Sequence, residues 1–199
     1  MQPLSGEFDE RELHRGHRSI RLKGYNYSSR GFYFVTICCN RKRCVLGRIV
    51  EATVKLSQIG QSVRDCWMAI PVHFSRAKLH EFMIMPNHLH GIIEIVGAAE
   101  HQSFEELDRL DRPPQIHPGS LPAIVRSFKA AAARSVREDL RWREVLWQRN
   151  YFERVLRDAE EFANATRYIV ENPAKWEWDK ENPHREPLHV QRPSTASST

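Results

Sequence analysis

Two apolar, strand-like runs, residues 79–85 and 88–96, are separated only by Pro86-Asn87. A connection that short can only reverse the chain, so the two runs must lie side by side and antiparallel. A parallel pair would need a crossover of about a dozen residues. Residues 32–39, aromatic and β-branched between Gly31 and Asn40, read as another buried strand, and 44–56 as a strand or hairpin with Gly47 near its turn. Residues 57–70 carry Ile59, Val63, Cys66, Trp67 and Ile70 at helical spacing, and Pro71 is expected to end that helix. A second helix is predicted from Ser120 to about Leu140, with Ile124, Val125, Phe128, Ala132 and Val136 on one side. Residues 145–156 alternate as a strand. A third helix starts at Asp158, with Glu161 completing a capping box, and closes at Pro173. The order of strands, helix, two strands, helix, strand and helix predicts an α+β fold: a ferredoxin-like antiparallel sheet with helices packed on one face.

The length of 199 residues suits one domain, and a hydrophobic fraction of 41% suits a globular one. Residues 1–20 are expected to be a loosely ordered basic segment, 21–180 a single domain, and 181–199 a disordered Pro- and Ser/Thr-rich tail. The polar stretch 97–119 reads as a loop or insertion. The apolar runs are too short to cross a bilayer, and the N-terminus does not look like a secretory signal, so a cytoplasmic location is expected. Cys38, Cys39, Cys44 and Cys66 have no paired metal-ligand spacing and read as reduced, mostly structural thiols.

The net charge of +5 is unevenly placed. Arg15, Arg18, Arg21, Lys23, Arg30, Arg41, Lys42, Arg43 and Arg48 fall in one N-terminal stretch, with Tyr25, Tyr27, Phe32 and Tyr33 interleaved. Cations that track phosphates, mixed with rings that stack on bases, suit a single-stranded nucleic-acid groove. A solvated basic face gives the same composition, and both readings stand at this point. The outer side of the second helix adds Arg126, Lys129, Arg134 and Arg137.

Three features carry chemistry. His88 and His90 alternate with Leu89 at the start of a strand, so both imidazoles point to one face and can serve as paired metal ligands. Such a pair arises easily by chance among ten histidines; its place directly after a tight turn, where a strand end can line a cleft, gives it weight. Tyr168 and Asn172 lie four apart on the last helix, at the edge of a stripe formed by Phe162, Ala165 and Ile169. A tyrosine there is ordinarily a core-edge residue; an Asn amide oxygen can be a hard metal ligand. Residues 147–154, W-Q-R-N-Y-F-E-R, alternate aromatics with arginines and by themselves imply nothing catalytic.

In combination these segments resemble the REP-associated tyrosine transposases, single-tyrosine HUH transposases related to insertion-sequence enzymes. The resemblance rests on F-M-I-M-P-N-H-L-H-G at 82–91, R-S-I-R-L-K-G-Y-N-Y at 18–27, G-F-Y-F-V-T at 31–36, W-Q-R-N-Y-F-E-R at 147–154 and Y-I-V-E-N-P at 168–173. It spans residues 18 to about 180. One departure is Arg154, where many relatives carry histidine.

The resemblance implies an HUH nuclease fold and a metal-dependent DNA transposase or endonuclease that acts on single-stranded DNA. Tyr168 would be the nucleophile, forming a 5′-phosphotyrosine, and Tyr151 its rival. His88, His90 and Asn172 would hold Mg²⁺ or Mn²⁺. Arg18, Arg21, Lys23, Tyr25, Arg126, Lys129 and Arg149 would contact DNA, an imperfect hairpin of the repetitive extragenic palindrome type, and the protein would act near the nucleoid as a monomer or homodimer. Two other readings stay open: a non-catalytic single-stranded nucleic-acid binder on a ferredoxin-like sheet, and a zinc hydrolase using Glu94 on the histidine face.

Overall fold

The computed structural model of the protein describes residues 25–97 and 117–185. The expected N-terminal segment, the insertion from 98 to 116 and the tail from 186 lie outside the described residues.

The central sheet contains β1 (Gly31–Cys38), β4 (Ala77–Ile84), β5 (His88–Ile95) and β6 (Phe152–Leu156), in the order β4-β5-β1-β6, with every neighbour antiparallel. This is the ferredoxin-like order. The hairpin read from Pro86-Asn87 closes with Met85 N–H donating to His88 O at 2.8 Å. A separate hairpin, β2 (Gly47–Val50) with β3 (Thr53–Leu56), leaves the sheet. Its turn is Glu51-Ala52, both at positive φ (49° and 56°), and not near Gly47 as its glycine suggested. A two-residue hairpin loop of type I′ needs φ > 0 at both central residues, and this chain meets the demand without glycine.

Strand alternation divides the core in two. Tyr33, Val35, Ile37, Leu89 and Ile93 face α1 (Gln58–Met68) and α3 (Leu121–Asp139), which supply Val63, Trp67, Ile124 and Phe128. Each such fully buried side chain is worth about 1.5–3 kcal/mol. Phe34, Ile92 and Leu156 face the other way, against Ala165 and Ile169 of α4 (Ala159–Glu171). Two helices therefore cover one face as expected, and α4 covers the opposite one. The physical reason is that β1 carries apolar residues on both faces and Ile92 of β5 adds to the second, so neither face can be left to water.

Helix starts follow their caps. Ser57 accepts from Gly60 N–H, Ser120 from Ala123 N–H and Asp158 from Glu161 N–H. The Glu161 carboxylate reaches back to the Arg157 amide and also holds the Arg154 guanidinium. Pro71 does not end the helical region. It opens a short second turn, α2 (Ile70–His73), because proline is tolerated in a first turn whose N–H has no partner. The strand predicted over 145–156 shrinks to β6. Before it the chain is held by Gln148 N–H donating to Cys38 O and by Lys129, whose ammonium donates to the carbonyls of Gln148, Arg149 and Asn150 at 2.6, 3.2 and 3.3 Å.

Gly91 sets the height of β5 over α1. A Cβ there would fall 2.5 Å from the Trp67 ring, so only glycine lets the indole come this close to the histidine strand. After α4 a 3₁₀ segment, Asn172–Trp178, carries the chain back across the end of the sheet.

Candidate active site

His88 and His90 are fully buried on the α4 face of β5, opposite Cys38 and Thr36 of β1. Their Nε2 atoms approach to 2.9 Å. Each ring is held from behind. His90 Nδ1 meets Thr36 Oγ1 at 2.8 Å, and its ring stacks on Phe34. His88 Nδ1 meets Asn87 Oδ1 at 2.8 Å.

The Asn87 contacts fix a tautomer. Its Nδ2 donates to Lys42 O at 3.0 Å and to Glu181 O at 2.6 Å, so Oδ1 must be the atom facing His88. An amide oxygen only accepts, so His88 Nδ1 carries a proton, and in the neutral ring Nε2 holds the lone pair. This is how a metal-ligating histidine is ordinarily prepared.

Tyr168 reaches the pair from α4. Its hydroxyl lies 3.5 Å from His90 Nε2, and its ring meets those of His90 and Phe34 edge to face. The helix brings it there because Ala165 and Ile169 bury against Phe34 and Ile92. Asn172, the residue after α4, is buried, and its Oδ1 accepts no hydrogen bond among the described residues. The 3₁₀ segment then delivers Asp179. Its Oδ2 lies 3.7 Å from His88 Nε2 and its Oδ1 accepts from Glu181 N–H, while the Trp176 ring lies 6.2 Å from the His88 ring. Lys42 Nζ pairs with Glu181 at 3.3 Å and donates to Lys180 O, tying this segment to the loop after β1. Residue 181, the expected start of a disordered tail, is thus part of the packed structure.

The donor set fits a divalent cation. His88, His90 and Asp179 offer one ligand atom each, all within 4.8 Å of one another. Two nitrogens at about 2.1 Å from an ion, in adjacent octahedral positions, would sit about 3 Å apart, close to the observed 2.9 Å. An Nε2 lone pair facing another ring nitrogen at that distance needs a proton or a cation between them. The orphaned Asn172 oxygen is a further acceptor of the right hardness.

Of the residues singled out from the sequence, the structure brings His88, His90 and Tyr168 together and buries Asn172; Thr36, Asn87 and Asp179 were not singled out. Asn87 was visible only as a turn residue, and nothing around Asp179 marks it. Glu94 shares the histidine face but is engaged by His80 at 2.8 Å, near α4's start, and is not in the metal-compatible group. Tyr151 packs against the core under α1 and α3, on the far side of the sheet from the histidines. Arg126 and Arg149 are exposed and Tyr25 is half-buried, whereas Lys129 spends its donors on three backbone carbonyls. Burial also lowers the Lys129 pKa. Arg18, Arg21 and Lys23 lie outside the described residues.

The chain matches no family model. An uncharacterized protein of Haemophilus influenzae is 41% identical over 172 residues, covering 82% of this chain and 91% of that protein. The chain belongs to the same family as that protein. Among solved structures, a REP-associated tyrosine transposase bound to a REP hairpin superposes with a TM-score of 0.51 at 17% identity, covering 78% of this chain and 74% of that one. The chain has the fold of that transposase. No helix among the described residues is long and apolar enough to cross a membrane.

Proposed function

We propose that this chain is a single-tyrosine HUH transposase or endonuclease that cleaves and rejoins single-stranded DNA through a 5′-phosphotyrosine on Tyr168. The observation that carries the proposal is the approach of the Tyr168 hydroxyl to within 3.5 Å of His90 Nε2, which joins a phenol to a buried histidine pair.

A phenol with a pKa near 10 is a weak nucleophile at neutral pH and must lose its proton to solvent as it attacks. The Tyr168 oxygen bonds to phosphorus, the 3′-oxygen leaves and is protonated, and the 5′-phosphate remains on the tyrosine. A second 3′-hydroxyl reverses these steps on a new strand, since the phosphoryl link conserves bond energy. Phe34 and His90 pack against the tyrosine ring and limit its swing, which favours in-line attack. His88, His90 and Asp179, with Asn172 as a fourth candidate, would hold Mg²⁺ or Mn²⁺. The ion would supply charge neutralisation at a non-bridging phosphate oxygen. Asp179 enters this set beside the Asn172 that the sequence suggested.

The DNA, by analogy with the REP hairpin bound by the structural neighbour, would be a hairpin with unpaired flanks, met in the cytoplasm at the nucleoid. Exposed Arg126 and Arg149 suit phosphate contacts, as do Arg18, Arg21 and Lys23 by sequence. Tyr25 suits base stacking.

The test uses end-labelled hairpin oligonucleotides with Mn²⁺, resolved on a denaturing gel. A covalent adduct is expected with wild type and Tyr151→Phe, and none with Tyr168→Phe. An adduct that survives Tyr168→Phe would refute the nucleophile. Tight binding without any cleavage would favour a non-catalytic binder.

A further inference from the structure

The end of the sheet away from the histidines holds a cleft of about 410 Å³ lined by Tyr25, Arg30, Phe32, Val155, Leu156 and Arg157. Clefts of roughly 300–1,000 Å³ hold ligands of nucleotide size. Arg30 immediately precedes β1 and Arg157 immediately follows β6, and the two strands pair there through Phe32 and Leu156. Both arginines are exposed, and neither guanidinium has a hydrogen bond or ion pair among the described residues. Among the described residues no carboxylate lines the cleft. Two like charges facing one cavity repel, and an anion between them would relieve that repulsion.

The remaining lining is aromatic and aliphatic. Phe32 is half-buried and braced edge to face by Phe162 at 5.0 Å and His80 at 5.3 Å, so its ring is held in place. The Tyr25 ring is likewise braced by Tyr27 at 4.9 Å. The cleft therefore combines two cations, unpartnered among the described residues, with two aromatic residues held in place. This is the chemistry that takes one phosphate and one base.

Position adds a constraint. His90 lies opposite Thr36 on β1, five residues from Gly31 at the cleft. At about 3.3–3.4 Å per residue the cleft is about 17 Å from the histidine pair along the strand. We propose that this cleft seats an unpaired nucleotide of the same DNA strand, a few nucleotides from the scissile phosphate, with its phosphate between Arg30 and Arg157 and its base against the Tyr25 ring. The inference rests on the single-stranded DNA reading above, and it assigns the cleft a measuring role: it fixes how far from a seated base the strand is cut.

The experiment uses the full-length Tyr168→Phe protein, so that cleavage does not interfere, and fluorescence anisotropy over a range of KCl concentrations. The probes are a fluorescein-labelled hairpin with unpaired flanks and the same hairpin with blunt ends. Adding Arg30→Ala and Arg157→Ala should weaken binding of the flanked hairpin about tenfold or more. It should also lower the slope of log Kd against log[KCl] by about 0.7, the value for one neutralised phosphate of a single strand. The blunt hairpin should bind the two proteins equally. Arg30→Lys with Arg157→Lys should restore the slope, which separates a charge role from a structural one. Unchanged affinity and slope for the flanked hairpin, with the parent binding it well, would overturn the cleft proposal and leave the DNA reading intact. A parent that binds neither probe would overturn both. Arginine-dependent binding of thymidine monophosphate as tight as that of the flanked hairpin would overturn the strand assignment in favour of a free nucleotide.

Discussion

Replacing Asn87 tests the reasoning about the histidine pair most directly. Its side chain makes three hydrogen bonds at 2.6–3.0 Å, to Glu181 O, Lys42 O and His88 Nδ1, and it is almost wholly buried. Asn87→Ala leaves a buried ring N–H and two carbonyls without their partner. An unsatisfied buried polar group costs about 1–3 kcal/mol. The Glu181 and Lys42 carbonyls sit on half-buried residues that water can reach, so a total of about 3 kcal/mol is reasonable. For a chain of this size that is a fall in Tm of about 6–12 °C. Losing the group that fixes a ligand's tautomer should also weaken divalent-metal binding about 10–100-fold. Thermal melts by circular dichroism read the first effect. Mn²⁺ quenching of Trp176, whose ring lies 6.2 Å from that of His88, reads the second, with Trp176→Phe giving the background. Asn87→Asp separates the two roles. It keeps an acceptor for His88 Nδ1–H but sets a carboxylate against two carbonyl oxygens, so stability should fall while metal affinity is largely retained. An Asn87→Ala protein that melts within about 2 °C of wild type, a shift of about 1 kcal/mol or less, and binds Mn²⁺ within twofold would refute the argument.

Gly91→Ala places a methyl 2.5 Å from the Trp67 ring and should cost about 1–3 kcal/mol, with much of the loss recovered in Gly91→Ala/Trp67→Phe; urea denaturation measures both. Lys129→Ala should destabilise by about 1.5–3 kcal/mol, because the ammonium holds three carbonyls of the segment before β6. The same change should leave the salt slope of DNA binding unaltered, whereas Arg126→Ala should lower it by about 0.7; anisotropy titrations in KCl decide between them.

How far the sequence reached can be seen residue by residue. The Pro86-Asn87 reversal dictated an antiparallel pair, and strand alternation dictated that His88 and His90 share a face, because both follow from local geometry within ten residues. Caps at Ser57, Ser120 and Asp158 marked where the helices begin for the same reason: the hydroxyl or carboxylate and the amide it caps are three residues apart. The i, i+4 spacing placed Tyr168 and Asn172 on one side of α4. The face of the sheet that α4 would cover was not local information. It depended on β1 being apolar on both sides, on Ile92 of β5 adding to the second side, and on the other two helices having filled the first. Likewise the partners that tune the histidines come from 54, 78 and 91 positions away or from an adjacent turn: Thr36 to His90, Tyr168 to His90, Asp179 to His88 and Asn87 beside it. The sequence by itself determined which residue types could do chemistry and on which element each would stand. Only the packing of those elements decided which of them meet, since contact between distant residues is set by the burial of whole faces and leaves no mark on the residues nearby.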